Sequence, residues 1–293
     1  MTELELQQQR AQNWRTAGNP VRTLEDARSF VDDVGLCLMY HDRSLPIVAT
    51  FIGAYAGSSE NLPDSVHAFA DSRNQPARDL LVRLLRERAA FEISLSAGCD
   101  LIVSAALFPF FYALLGDHNP KAVPKVRAQG AAISPLAISV FEAIQKGGPL
   151  SKSMLREKVG REMSSAGLDR ALNELWTVLK ITRVDYHEGE GAFWDVLYRW
   201  APDAVKEGIN ISAPEAISAL VSKYLEAAVA AGQEDIEQLF SRLTSRSKVR
   251  EAVNALLAAR ELVWMPAGTK TLLRLTPAAE PRHNPAQRRP VHG

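Results

Sequence analysis

Residues 134–200 read SPLAISVFEAIQKGGPLSKSMLREKVGREMSSAGLDRALNELWTVLKITRVDYHEGEGAFWDVLYRW, and the order of patterns in this stretch decides the fold. Ser134-Pro135 is a helix start, with Ser as N-cap and Pro at the first helical position, where its missing N–H costs nothing. Leu136, Val140, Phe141 and Ile144 share one face, and Gly147-Gly148-Pro149 stops the helix. Ser151 caps a short second helix carrying Leu155 and Val159, closed by Gly160. Ser164 or Ser165 opens a third, in which Leu168, Ala171, Leu172, Leu175 and Leu179 recur at helical spacing. After Lys180 the period changes: Ile181, Arg183, Val184 and Tyr186, then Phe193, Trp194, Val196, Tyr198 and Trp200, read as two strands joined by a His187–Gly191 loop. Helix, turn, helix, turn, longer helix and hairpin is the order of a winged helix, the helix-turn-helix variant that most often sets its third helix in a DNA groove. The expected fold class is mainly α with small β-hairpin wings, arranged as tandem winged-helix domains.

A fainter copy follows. Ser212-Ala213-Pro214-Glu215 starts a helix to about Ala231, a second covers Asp235 to Phe240, and a third runs from Thr244 or Ser245 to about Ala259. Its hairpin is Leu262–Met265, Pro266-Ala267-Gly268, then Thr271–Leu275. The start of its third helix is the most basic short segment in the chain: Arg242, Arg246, Lys248 and Arg250, interleaved with Ser241, Thr244, Ser245 and Ser247. Cations and hydroxyls at a helix start suit phosphate, because the backbone N–H groups point the same way. Lys152 and Arg156, on the second helix of the central copy, are further candidates for nucleic-acid contact. The central third helix carries a mixed outward set, Asp169, Arg170, Asn173, Glu174 and Lys180. Its wing, with Asp185, Glu188 and Glu190, is acidic and would repel phosphate.

Upstream, Thr23 caps a helix ending at Val34-Gly35, followed by a short apolar run, Leu36 to Tyr40, with the spacing of a buried strand. A helix from Asn74–Pro76 buries Leu80, Leu81, Leu84 and Leu85 and shows Arg78, Arg83, Arg86 and Arg88; a solvated face is the plainer reading of that stripe than a phosphate track. An aromatic helix is expected from about Val103 to Leu115. The domain reading is an arm over 1–22, a helical domain over 23–116, a central winged helix over 125–208, a C-terminal one over 212–276 and a disordered tail over 277–293.

The 34 basic and 34 acidic side chains balance, so any nucleic-acid site must be a local patch. Cys37 and Cys99 lie in apolar surroundings without ligand spacing and read as buried thiols of a reducing cytoplasm. No apolar run is long enough to span a membrane. The chain holds no phosphate loop, no G-x-G-x-x-G, no H-E-x-x-H and no G-x-S-x-G. Asp185, His187, Glu188 and Glu190 have metal-ligand chemistry, but a solvated hairpin tip is the plainer account; His67 and His118 read as lone loop histidines. No cofactor and no metal is expected, and oligomeric state is left open.

Taken from Thr23 to Leu275, the chain resembles the AlkZ/YcaQ family of crosslink-repair DNA glycosylases. The resemblance rests on Leu24-Glu25-Asp26-Ala27-Arg28-Ser29-Phe30-Val31, on Phe108-Pro109-Phe110-Phe111-Tyr112-Ala113-Leu114, and on Leu168–Leu175 running into Leu179-Lys180-Ile181. It implies tandem winged helices around a DNA channel, with a third, degenerate copy within residues 23–116, and hydrolysis of the N-glycosidic bond of alkylated or crosslinked purines. Family members use a Q-Φ-Q or Q-Φ-D motif soon after the first helix. Here that place is Leu36-Cys37-Leu38-Met39-Tyr40, and the nearest carboxylate is Asp42. Three readings follow: a duplex-DNA binder without the family's usual catalytic motif, an active glycosylase using Asp42, and a protein-interaction module.

Overall fold

Capping decides where the first elements begin. Thr2 and Thr23 each accept the N–H three residues on, and Glu5 and Asp26 return the bond, so α1 (Glu3–Asn13) and α2 (Leu24–Val34) both open on capping boxes. The computed structural model describes residues 1–65, 70–96, 99–124, 133–160 and 163–277. His67, the tail from Ala278 and the side chain of Cys99 lie outside what is described. Residues 1–22 are more than an arm: α1 is docked, with Arg10 donating to the carbonyls of Ala228 and Ala230.

After α2 come β1 (Leu36–Leu38), α3 (Phe51–Ala56), α4 (Asn74–Arg86), β2 (Ala90–Ser96) and β3 (Cys99–Ser104). The strands form an antiparallel sheet in the order β1-β3-β2. Val103 therefore belongs to a strand, where Ile102-Val103 pair on both sides, and the aromatic helix α5 (Phe108–Leu115) starts five residues later than expected. The central stretch gives α6 (Pro135–Gly147), β4 (Leu150–Ser151), α7 (Lys152–Val159), α8 (Ser165–Trp176), β5 (Ile181–His187) and β6 (Gly191–Val196), its sheet ordered β4-β6-β5. That is the same path through a sheet as in the first unit.

Two short helices follow, α9 (Leu197–Trp200) and α10 (Pro202–Asn210), so Tyr198 and Trp200 are helical and do not extend the strand. The reason is local: Asp195 accepts from the N–H of Val196 and grips Arg199 one turn on, and Pro202 then opens the next helix. The third unit is α11 (Ala213–Ala228), α12 (Gln233–Phe240), α13 (Arg246–Ala258), β7 (Leu262–Ala267) and β8 (Lys270–Leu275). A single bridge, Ala231 to Leu273, stands where the other units have their first strand. Roughly half the chain is helical, and the sheets are small and antiparallel.

The first and third units share one core. Leu36, Leu38, Phe91, Leu101 and Val103 cluster with Leu220, Tyr224, Phe240 and Val253, joined through Phe108, Phe111 and Tyr112 of α5. Backbones touch where α10 crosses α5: a Cβ on Gly208 would lie 2.7 Å from the carbonyl oxygen of Pro109. The central unit keeps its own core around Phe141, Leu172, Leu175 and Trp194.

The face of α8 expected to point outward is covered in part, at Asn173, Glu174 and the following Lys180, while Asp169 and Arg170 stay exposed. Ser94 donates to Asn173 Oδ1 at 3.2 Å, Trp176 Nε1 to the carbonyl of Glu92 at 3.0 Å, and Glu174 receives the N–H of Ser134. Lys180 is 3% exposed, turned inward after Leu179 takes a positive φ of 52°, and its ammonium binds Asp117 and the carbonyls of Asn119 and Ala122. Leu172→Ala should cost about 2–5 kcal/mol as a core truncation, and Arg170→Ala, on an exposed position, less than about 0.5 kcal/mol. Urea titrations of the two variants giving equal losses would mean that the α8 phase is wrong.

Candidate nucleic-acid interface

One buried carboxylate organises the basic segment. Glu237, on α12, has only 2% of its side chain exposed. It accepts from Arg246 Nε at 2.5 Å, from Arg250 Nε and Nη2 at 2.9 Å each, and from Gln233 Nε2 at 3.0 Å. Both guanidinium groups remain more than half exposed, at 58% and 54%. The bonds from Arg250 above all, with those from Arg246 and Gln233, outweigh burial and pull the carboxyl down to about 2. Arg242 and Lys248 are exposed and make no ion pair among the described residues. Two arginines thus hold one covered carboxylate, and Arg242 and Lys248 add two exposed cations to the same short segment. Ser245, the N-cap of α13, bonds Ser247 instead of the first-turn amides.

The same turn forms one wall of a cleft of about 760 Å³, where Ser241, Arg242, Thr244 and Ser245 face Ser94, Asp117, His118 and Lys180. Residues from all three units therefore meet in one depression. Asp42 lies on a loop that touches the third unit at two points: Gln238 Nε2 of α12 donates to the carbonyl of Ser44 at 2.9 Å, and Tyr224 of α11 donates to that of Ile47. Asp42 Oδ1 closes its own turn by accepting the N–H of Ser44. Lys152 and Arg156 are not brought to this cluster; they lie on α7, and Lys152 is paired with Asp169.

The place where the family resemblance expects a polar pair is closed. Leu36, Cys37 and Leu38 are 2%, 0% and 3% exposed, and burial pushes the Cys37 thiol well above its ordinary range. Tyr40 bonds Asn74.

The arginine stripe keeps Arg83, Arg86 and Arg88 exposed, as a solvated face would, but part of it is engaged by the central unit. Arg86 pairs with Asp185 at 2.5 Å, Arg78 lies 5.0 Å from the Tyr186 ring centre and Arg88 4.6 Å from that of Trp200. The acidic hairpin is thereby docked on a basic helix. Burial opposes ionisation of Asp185, but bonds from Arg86, the Tyr186 N–H and His187 bring its carboxyl below the usual range. Among the described residues no group of His, Cys, Asp or Glu is arranged to hold a metal, and no helix is long and apolar enough to cross a membrane.

Sequence reasoning missed Glu237 and Gln233. Glu237 lies nine and thirteen positions before its arginine partners and on another helix, so no spacing rule on one element joins them. The only local sign is an acid beside Ile236, Leu239 and Phe240.

Comparison with known protein families places this chain among DNA glycosylase-related proteins. Residues 56–292 match the family described as DNA glycosylase AlkZ-like, and because that match takes in most of the chain, the protein belongs to this family. Its fold is similar to that of Streptomyces sahachiroi DNA glycosylase AlkZ, with a TM-score of 0.61 at 14% identity, covering 94% of this chain and 70% of that one. At that identity the likeness shows the fold alone. Comparison with curated proteins returned no match.

The Glu237 pKa carries a pH signature. Its carboxyl is lowered on folding from an ordinary 4.5 to about 2, so its stabilisation is complete above about pH 4.5 and lost as pH falls through about 2. Urea midpoints of the wild type and Glu237→Gln should differ most near neutral pH and converge at about pH 2. A constant difference across that range would mean that the carboxylate is not held as described.

Proposed function

We propose that this protein is a tandem winged-helix protein that binds duplex DNA, related to AlkZ-type DNA glycosylases but without the family's usual catalytic motif. The reading of three winged helices is supported by the sheet orders β1-β3-β2 and β4-β6-β5 and by the Ala231–Leu273 bridge, which repeats the first pairing in the third unit. The DNA reading rests on family membership and on the exposed cations Arg242, Arg246, Lys248 and Arg250 beside a cleft. DNA contact falls to the third unit, because the central third helix is packed on β2 and the central wing on α4. Of the acidic wing, which in sequence favoured a protein partner, Asp185 is engaged by Arg86, while Glu188 and Glu190 stay exposed.

The observation that carries the catalytic half is the buried, apolar Leu36-Cys37-Leu38. A leucine can neither orient water nor stabilise positive charge developing on a sugar. A second reading, glycosylase activity through Asp42, draws on the contact of its loop with α12, the helix that anchors the basic cluster.

Two measurements test these readings. Reversing Arg242 and Lys248 to Glu should weaken duplex binding equally for all sequences and flatten its salt dependence by roughly one unit of slope for each phosphate no longer neutralised. Absence of salt-dependent binding by the wild type at about 50 mM salt would remove the DNA reading. Duplex carrying N7-alkylated purines, incubated with excess protein and treated with alkali, should show no strand breaks above the spontaneous level. Breaks that vanish in Asp42→Asn would establish the second reading instead.

A further inference from the structure

Resting on the DNA reading above, we infer that Glu237 is a positioning residue: it holds Arg246 and Arg250 as a preformed pair of phosphate ligands. The carboxylate lies beneath the guanidinium groups, 2% exposed against their 58% and 54%, so an incoming phosphate meets arginine N–H before it meets the acid. Arg246 spends one N–H on Glu237, through Nε, and Arg250 spends two, through Nε and Nη2. Each fork of five donors keeps the rest for a ligand. Glu237 is itself fixed from behind by Gln233 at 3.0 Å, so the chain of bonds runs from Gln233 through Glu237 to the two arginines. A free arginine loses rotamer entropy when a ligand immobilises it, and here folding has already ordered both side chains.

Positioning and simple charge make opposite predictions for Glu237→Gln. Removing one negative charge beside a phosphate site should tighten binding. Losing the anchor should loosen it, by roughly five- to thirtyfold for two side chains that must now be ordered on binding. We expect the loss, measured by fluorescence anisotropy with a labelled 20-base-pair duplex, with the salt slope unchanged because both cations are retained. Arg250→Gln should lower affinity and also reduce the slope by about one. If Glu237→Gln melts well below the wild type, Glu237→Asp keeps the charge, shortens the reach by one methylene and should show the same loss. Binding by either folded variant as tight as the wild type overturns the inference while leaving the DNA reading intact. No salt-dependent binding by the wild type overturns both.

Discussion

Glu92 is a carboxylate that has to be buried, and the arrangement of the three units depends on how it is compensated. It is 8% exposed, and desolvation raises its pKa against the pull of Arg183, whose Nε lies 3.1 Å away. Arg183 also pairs with Asp100 and lies 4.1 Å from the Trp176 ring centre, while Trp176 donates to the Glu92 backbone. Glu92 and Asp100 belong to the first unit; Arg183 and Trp176 belong to the central one. Leaving a buried charge without its partner costs several kcal/mol, about 3–5 in measured cases, so this contact tolerates little displacement. Together with Arg86–Asp185 it seats β5 and α8 against β2 and α4.

That seating decides which surface is left for a ligand. The packing of α8 on β2 and of β5 on α4 makes the central unit a brace for the first. The third unit shares its core with the first through α5, yet keeps the start of α13 exposed. Its four cations are held in a chain whose positive and negative side chains balance overall, so the attraction for a polyanion is local to this turn. Glu237 lowers that local charge but orders two of the cations, and being covered it does so with little repulsion at the surface.

Much of this was legible in the sequence, and the limits follow from range. The caps Thr23, Ser134, Ser151 and Ser164 and the α8 phase from Leu168 to Leu175 are local signals and appear as read, and the hairpin after Lys180 appears as far as Val196. The strand β3 was hidden because only Ser104 and an apolar turn, Ala105-Ala106-Leu107, separate its run from the aromatic helix. The acidic hairpin and the arginine helix were each visible. Their pairing joins residues 99 positions apart, which no periodicity reports. Lys180 looked exposed because it continues the polar face of a helix that in fact ends at Trp176. For the candidate site, the basic segment was legible and its organising acid was not.

The apolar character of Leu36-Cys37-Leu38 has a structural cause as well as a functional consequence. In a strand, residues two apart share a face, so a Q-Φ-Q pair needs one face of the strand to be open. Here Leu36 and Leu38 join the cluster containing Leu45, Val48, Leu220 and Tyr224, while Cys37 joins the cluster of Phe30, Phe51 and Leu84. Both faces are closed. The approach is tight as well: a Cβ on Gly35, at a φ of 72°, would lie 2.4 Å from the Lys223 side chain of α11. Amides placed at 36 and 38 would each forfeit roughly 1–3 kcal/mol as unpaired buried polar groups. In this fold a polar pair on β1 would oppose the joint core of the first and third units. The loop that follows this strand is held by the same third unit, through Gln238 of α12 on Ser44 and Tyr224 of α11 on Ile47, so its polar groups sit outside the closed core.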